Sequence, residues 1–188
     1  NSTKVSGRGK GGLGVGVLNS VTNAAYATVE NKNDSLNRGE YQIQTEALTN
    51  YNVIAFDQIL KNNSFISFVN TNVYRDGSAY EANVTGTDFR FADKTNTYSV
   101  SGDFSLSQKY FDGFNNPELG TRYQLNLSQT SGNVQFGFSN FMISKQYDNN
   151  DLGFETQQDI MQNYSFIGYQ QFKTFGPFLR GSGFLNLN

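Results

Sequence analysis

Lys4, Arg8 and Lys10 stand at even positions near the start of the chain. Alternate residues of a strand share one face, so these three would form a basic ladder. A ladder of that kind could favour anionic solutes, but a solvated polar face is the better reading of the two. Asp57, Asp88 and Asp103 sit inside segments that read as strands, and Arg122 lies on the polar side of another. Glycoside hydrolysis needs two carboxyl groups at a set separation, which sequence spacing does not supply here. These acids read better as strand charges facing away from the apolar side. Asp148-Asn149-Asn150-Asp151 offers oxygen ligands that calcium could use. It lacks the spaced acids, glycine and final glutamate of a calcium hand, and reads as a polar external loop. Gly7-Arg8-Gly9-Lys10-Gly11-Gly12 matches the dinucleotide-binding G-x-G-x-x-G pattern. That chemistry needs a preceding hydrophobic strand and a following helix. The run continues instead as Leu13-Gly14-Val15-Gly16-Val17, so it reads as part of a glycine-rich strand. Asn62, Asn83, Asn126 and Asn163 open N-x-S/T triplets, as chance allows in a chain with 24 Asn.

Composition narrows the chemistry further. The 188 residues contain no Cys and no His. Disulfides, thiolate metal sites and cysteine nucleophiles are therefore absent, as are the usual general base and the Ser-His-Asp triad. A formal net charge of −2 does not suit a nucleic-acid binder, which would show a basic face. No apolar run is long enough for a transmembrane helix. Only 37% of the residues are hydrophobic, yet 17 Phe and 11 Tyr make disorder a poor reading.

What must position these residues is a set of strands. In Thr97–Ser107 the even positions are Tyr98, Val100, Gly102, Phe104 and Leu106, and the odd positions are Ser, Thr or Asp. Tyr123, Leu125 and Leu127 alternate with Arg122, Gln124, Asn126 and Ser128 in the same way. Period-two alternation gives a strand one apolar and one polar face. No capped apolar stripe at helical spacing occurs. The pattern places about ten strands, near 4–18, 23–30, 40–59, 64–75, 79–92, 96–109, 121–130, 133–146, 161–172 and 177–188.

The connections add a second signal. Those near Val21–Thr22, Lys61–Asn63, Asp93–Thr95, Ser131–Gly132 and Lys173–Gly176 are short. Those at Asn31–Gly39, Tyr110–Gly120 and Tyr147–Ile160 are long and polar, with Asp76–Gly77 in between. An antiparallel meander with short and long connections at opposite ends resembles an outer-membrane barrel. Low bulk hydropathy fits, because such a wall needs apolar residues only on its outer side. Tyr41, Tyr51, Tyr74, Tyr80, Tyr98, Tyr123 and Tyr164 lie near strand ends, where an aromatic girdle would fall. On this reading the fold is all-β, an up-and-down meander forming part of a transmembrane barrel. Lys4, Arg8, Lys10, Asp103 and Arg122 are then the candidates for facing the lumen. The whole of 1–188 reads as one region, an internal piece of a larger barrel. The final Leu185-Asn186-Leu187-Asn188 lacks the terminal aromatic that ends many such barrels.

One ordered series of residues points to a family. Ser6-Gly7-Arg8 and Gly11-Gly12-Leu13-Gly14 open it, followed by Thr49-Asn50-Tyr51-Asn52, Asp57-Gln58 and Asn63-Ser64. Asn70-Thr71-Asn72-Val73, Ala82-Asn83, Gly86-Thr87-Asp88-Phe89 and Asp93-Lys94-Thr95-Asn96 continue it. Ser131-Gly132-Asn133 and Asn150-Asp151-Leu152-Gly153-Phe154 close it. The series resembles an uncharacterised family of large outer-membrane β-barrel proteins of the Bacteroidetes type. In that family the barrel usually follows a module similar to family-nine carbohydrate-binding domains. The resemblance implies a Gram-negative outer-membrane location and a link to glycan handling. It marks Asn50, Asp57, Asn70, Asn72, Asp88 and Asp151 as motif positions without assigning them a role. The expectation is a non-enzymatic pore, transporter or envelope-assembly component that uses no cofactor or metal. Its partners would be outer-membrane lipid, with glycans or other envelope proteins beside it, and no nucleic acid. Two alternatives stand beside it: a glycan-linked surface protein whose active module lies elsewhere, and a soluble secreted β-sandwich adhesin.

Overall fold

Alternation along the chain becomes two faces of one sheet. The computed structural model describes residues 1–30, 39–77, 80–111 and 116–187. Twelve strands run in chain order: β1 (Ser2–Arg8), β2 (Leu13–Thr22), β3 (Ala25–Glu30), β4 (Glu40–Glu46), β5 (Thr49–Ile59) and β6 (Phe65–Arg75). They continue as β7 (Glu81–Ala92), β8 (Tyr98–Tyr110), β9 (Glu118–Gln129), β10 (Val134–Ile143), β11 (Ile160–Gln171) and β12 (Gly181–Leu187). No helix occurs among the described residues. Ten strands form one sheet in the order β1-β2-β5-β6-β7-β8-β9-β10-β11-β12, and β3 and β4 pair apart from it. Every pairing is antiparallel. The sheet is an open meander with β1 and β12 at its edges.

The expected segment 4–18 is a hairpin, not one strand. β1 and β2 fold back on each other, with Arg8 opposite Gly14 and Val5 opposite Val17. The glycine-rich run is its turn, closed by the Gly9 N–H donating to Leu13 O at 2.8 Å, with Gly12 at φ 85°. Glycine alternating with Leu and Val hid the reversal, because the period-two pattern resumes directly after the turn. Segment 40–59 is likewise two strands, broken between Glu46 and Thr49. Val21–Thr22 is not a turn: β2 runs through it and pairs with β5, Val21 facing Asn50. Much of the long connection expected at Asn31–Gly39 lies outside the described residues, as do parts of those after Asp76 and Tyr110.

Four tight turns gather at one end, but the connection expected as short at Lys173–Gly176 spans 172–180 and is longer than 76–80 at the other end. The turns at 9–12, 60–64, 93–97 and 130–133 all lie at one end, and 172–180 joins them. The β3–β4 excursion and segment 144–159 lie at the other. Left-handed residues close the tight turns: Asn62, Asn63 and Asn96 adopt φ of 57°, 53° and 55°. Asn tolerates that region better than other non-glycine residues.

Register sorts the side chains cleanly, since directly paired residues share a face. One face carries Val5, Val15, Val17, Ile54, Phe56, Ile66, Phe68, Phe91, Phe104, Leu125, Leu127, Phe136, Phe138, Ile167, Leu185 and Leu187, all exposed. Phe104 keeps 45% of its surface and Leu127 43%, so no described layer packs over this face. The core lies on the opposite face, at the end of the long connections. There Val73, Ala82, Ile143 and Tyr147, together with Thr49 and Ser107, are at most 4% exposed. Tyr147 comes from segment 144–159, which lies on this part of the face and bonds to Ser105 and Ser107.

Candidate functional site: the covered polar face

The polar face receives Lys4 and Arg8 from β1, Asp57 from β5, Asp88 from β7, Asp103 and Lys109 from β8, and Arg122 from β9. Lys10 stands in the β1–β2 turn and belongs to neither face, so the expected three-residue basic ladder is not formed. Its other members are exposed at an edge strand, and Arg8 is neutralised. Arg8 reaches across β2 to Asp57 on β5 at 2.5 Å. The crossing is open because residue 14 between them is glycine; a β-carbon there would stand 2.2 Å from Asp57 Oδ1. Arg122 pairs with Asp103 on the neighbouring strand. Asp103 itself lies directly opposite Asp88, a second carboxylate of like charge.

Segment 144–159 follows β10 and folds down onto this face. The Thr121 N–H donates to Ser144 Oγ at 2.8 Å, and the Ser144 N–H to Thr121 O at 2.9 Å, turning the chain back over β9. Tyr147 shares a hydrogen bond of 2.8 Å with Ser105 through its hydroxyl, and the Asp148 N–H donates to Ser107 Oγ at 3.1 Å. Small residues on β8 and β9 leave room for this backbone. The expected external loop is therefore a cover. Polar composition read as solvent-facing because its partners, too, are polar and lie far away in sequence.

The cover is anchored by charge. Lys109 Nζ meets Asp148 Oδ2 at 2.5 Å, and Arg75 on β6 pairs with Asp151. Tyr80, in the connection after β6, donates its hydroxyl to Asp151 at 2.9 Å. Both cations lie 4.6 Å from the centre of the Tyr80 ring, within cation–π range. Burial, joined by the bond to Asp151, raises the Tyr80 hydroxyl above the usual phenol value, so it stays a donor. Burial opposes ionisation of Asp148, and hydrogen bonds from Lys109 and Asn150 outweigh it, holding its carboxyl below the usual range. Tyr80 is thus part of this cluster and not of an aromatic girdle.

Other expected positions separate. Tyr74 and Tyr98 are on the apolar face, whereas Tyr51 and Tyr164 are on the polar one. Asn50, Asn70 and Asn72 lie on the apolar face, nearer the long connections than the aliphatic band. With Asn19, Asn52 and Asn83 they form a polar belt. Asn19 Nδ2 donates to Asn50 and Asn52 at 2.6 and 2.7 Å, and Asn70 Nδ2 to Asn83 at 3.1 Å. No group of acids that could hold a metal ion occurs among the described residues. Arg75, Lys109 and Tyr147 carried no sequence motif. The available signal was the set of small residues Ser105, Ser107 and Gly120, of which Ser107 and Gly120 pair at facing positions, where a backbone can lie on them.

These features define a class: an all-β antiparallel meander with one bare apolar face and one polar face roofed at one end by its own connection. The chain belongs to the family described as Domain of unknown function (DUF5916), whose profile matches residues 1–188. No curated protein and no solved structure matches it.

Proposed function

We propose that this chain is part of the wall of a non-enzymatic outer-membrane β-barrel that serves as a pore or transporter in a Gram-negative bacterium of the Bacteroidetes type. One observation carries the proposal. The exposed aliphatic and aromatic side chains of the ten-stranded sheet concentrate on one uncovered face, while the four ion pairs among the described residues lie on the other. In water such a band would be a large contiguous apolar patch, far beyond what a monomer usually exposes. Against hydrocarbon it is the ordinary outer surface of a barrel.

Strand length supports the same reading. The 13 residues of β8 extend roughly 40 Å, and a tilt near 45° projects that to about 28 Å, close to a hydrocarbon core. The asparagine belt falls outside the aliphatic band on the side of the long connections, where a wall would rise past the lipid. The free edges of β1 and β12 would have to pair with further strands, because unpaired backbone groups in lipid are costly. Outer-membrane lipid is then the principal partner.

The test is behaviour in detergent. The full-length protein should need detergent to remain dispersed, and its unheated form should migrate faster on a gel than its heated form. A monodisperse protein in plain buffer would favour the soluble sandwich and overturn the proposal.

A further inference from the structure

Asp148 and Asp151 sit where a foreign oxyanion would fit. Arg75 and Lys109 flank the Tyr80 ring, and the Tyr80 hydroxyl donates to Asp151 Oδ1, the oxygen that Arg75 also reaches. A guanidinium, an ammonium and a phenol hydroxyl converge there without coming from the segment they hold. Such a donor set suits carboxylate, phosphate or sulfate oxygens. Its members are mostly sheltered: the side chains of Arg75 and Lys109 keep 18% and 17% of their surface.

Two observations mark the segment as a removable occupant. Beside its bonds to the sheet it keeps a set of its own: Asp148 accepts from the Asn150 N–H at 2.9 Å, and Asn150 from the Glu155 N–H at 2.7 Å. It also fits the face imperfectly. A cavity of about 200 Å³ remains between them, lined by Val84, Gly86, Ser105, Asn149 and Leu152 among others. Asn149 Oδ1 is buried without a hydrogen-bond partner, a cost that lifting the segment removes.

We infer that Arg75, Tyr80 and Lys109 form an oxyanion-binding site on the polar face, which segment 144–159 closes with its own Asp148 and Asp151. Tethering gives these carboxylates a high effective concentration, so a dilute monovalent anion does not displace them. A doubly charged oxyanion can engage both cations once the carboxylates are neutralised. The site stands whether or not the apolar face meets lipid, so its failure and that of the barrel proposal are separable.

The experiment uses the full-length protein in detergent, with inorganic phosphate as the probe and calorimetry at low ionic strength as the readout. The double variant Asp148→Asn/Asp151→Asn should bind phosphate at least about tenfold more tightly than the unsubstituted protein. Adding Arg75→Gln and Lys109→Gln should abolish that gain. A second variant, with 146–158 replaced by a short Gly-Ser bridge, exposes the cations even if the neutralised segment stays seated. It should bind phosphate equally well. Phosphate binding no tighter than in the unsubstituted protein in both variants, or a gain that survives loss of both cations, overturns the inference.

Discussion

The Cα of Tyr147 occupies the space that a side chain on Gly120 would need. A β-carbon at Gly120 would stand 2.2 Å from that Cα and 2.3 Å from the Tyr147 nitrogen. Contact this close between backbones can be met only by glycine. Strand β9 is therefore shaped to receive the segment that follows β10.

Gly120→Val should accordingly unseat the cover while leaving the sheet paired. Overpacking of this kind costs about 1–3 kcal/mol. The Asp148 amide, which donates to Ser107 Oγ, should lose its protection against hydrogen exchange, and amides in mid-β9 should keep theirs. Unchanged protection at Asp148 would show that the seat tolerates a side chain.

A second glycine makes a contrasting prediction. Arg8 and Asp57 are 47% and 38% exposed at their side chains, so water screens their attraction. Arg8→Gln should cost under about 1 kcal/mol. Gly14→Val should cost no more than that, because its β-carbon would meet only the ends of the Asp57 and Arg8 side chains, which can swing into water. Denaturation midpoints of the two variants check this; a clearly larger loss in Gly14→Val would mean that the crossing over β2 is rigid.

Acid should loosen the cover. The Asp148 carboxyl is held below the usual range, despite burial, by hydrogen bonds from Lys109 and Asn150. A lowered acid stabilises its folded setting above its ordinary pKa of about 4, and that contribution disappears as pH falls through the lowered value. Lys109 from β8 faces Asp148 directly, and Tyr80, Arg75 and Asp151 complete the charged cluster. Exchange protection of the Asp148 amide should hold from pH about 7 to about 5 and fall on the acid side of about 4. Asp148→Asn should reduce that acid-side change. A transition on the alkaline side would contradict the assignment.

The two faces can be compared at adjacent positions. Leu125 lies on the apolar face and Asn126 on the polar one. Leu125→Arg should impair membrane assembly by about 2–4 kcal/mol if its level is near the bilayer centre, and Asn126→Arg far less. Leu106→Arg should behave like Leu125→Arg. Ser105→Arg, although on the polar face, should disturb the segment through Tyr147 and is a poor control. Folding yield into liposomes, scored by protease resistance, gives the comparison.

Much of the sheet was legible because its physics is local. In β8 each residue declares its face, and the expected 96–109 becomes Tyr98–Tyr110. The hairpin of β1 and β2 was not legible, because its glycines serve a strand and a turn equally well. The β3–β4 excursion was missed for a different reason: only pairing partners reveal that Val21 faces Asn50 and not its chain neighbour. At the site, Asp103 and Arg122 were singled out and do meet. Arg75 and Lys109 were not, since they acquire meaning only when acids 76 and 39 positions away fold back onto them.

The proposal that lipid covers the aliphatic face is tested most directly by spin labels along β8. The chain has no cysteine, so single cysteines at Val100, Ser101, Phe104, Ser105 and Leu106 can be labelled cleanly. In liposomes, labels at 100, 104 and 106 should be accessible to oxygen and shielded from a water-soluble nickel reagent. Labels at 101 and 105 should not share that lipid signature. Labels at 100, 104 and 106 that are open to the nickel reagent, or shielded from both reagents by packed protein, would contradict the account.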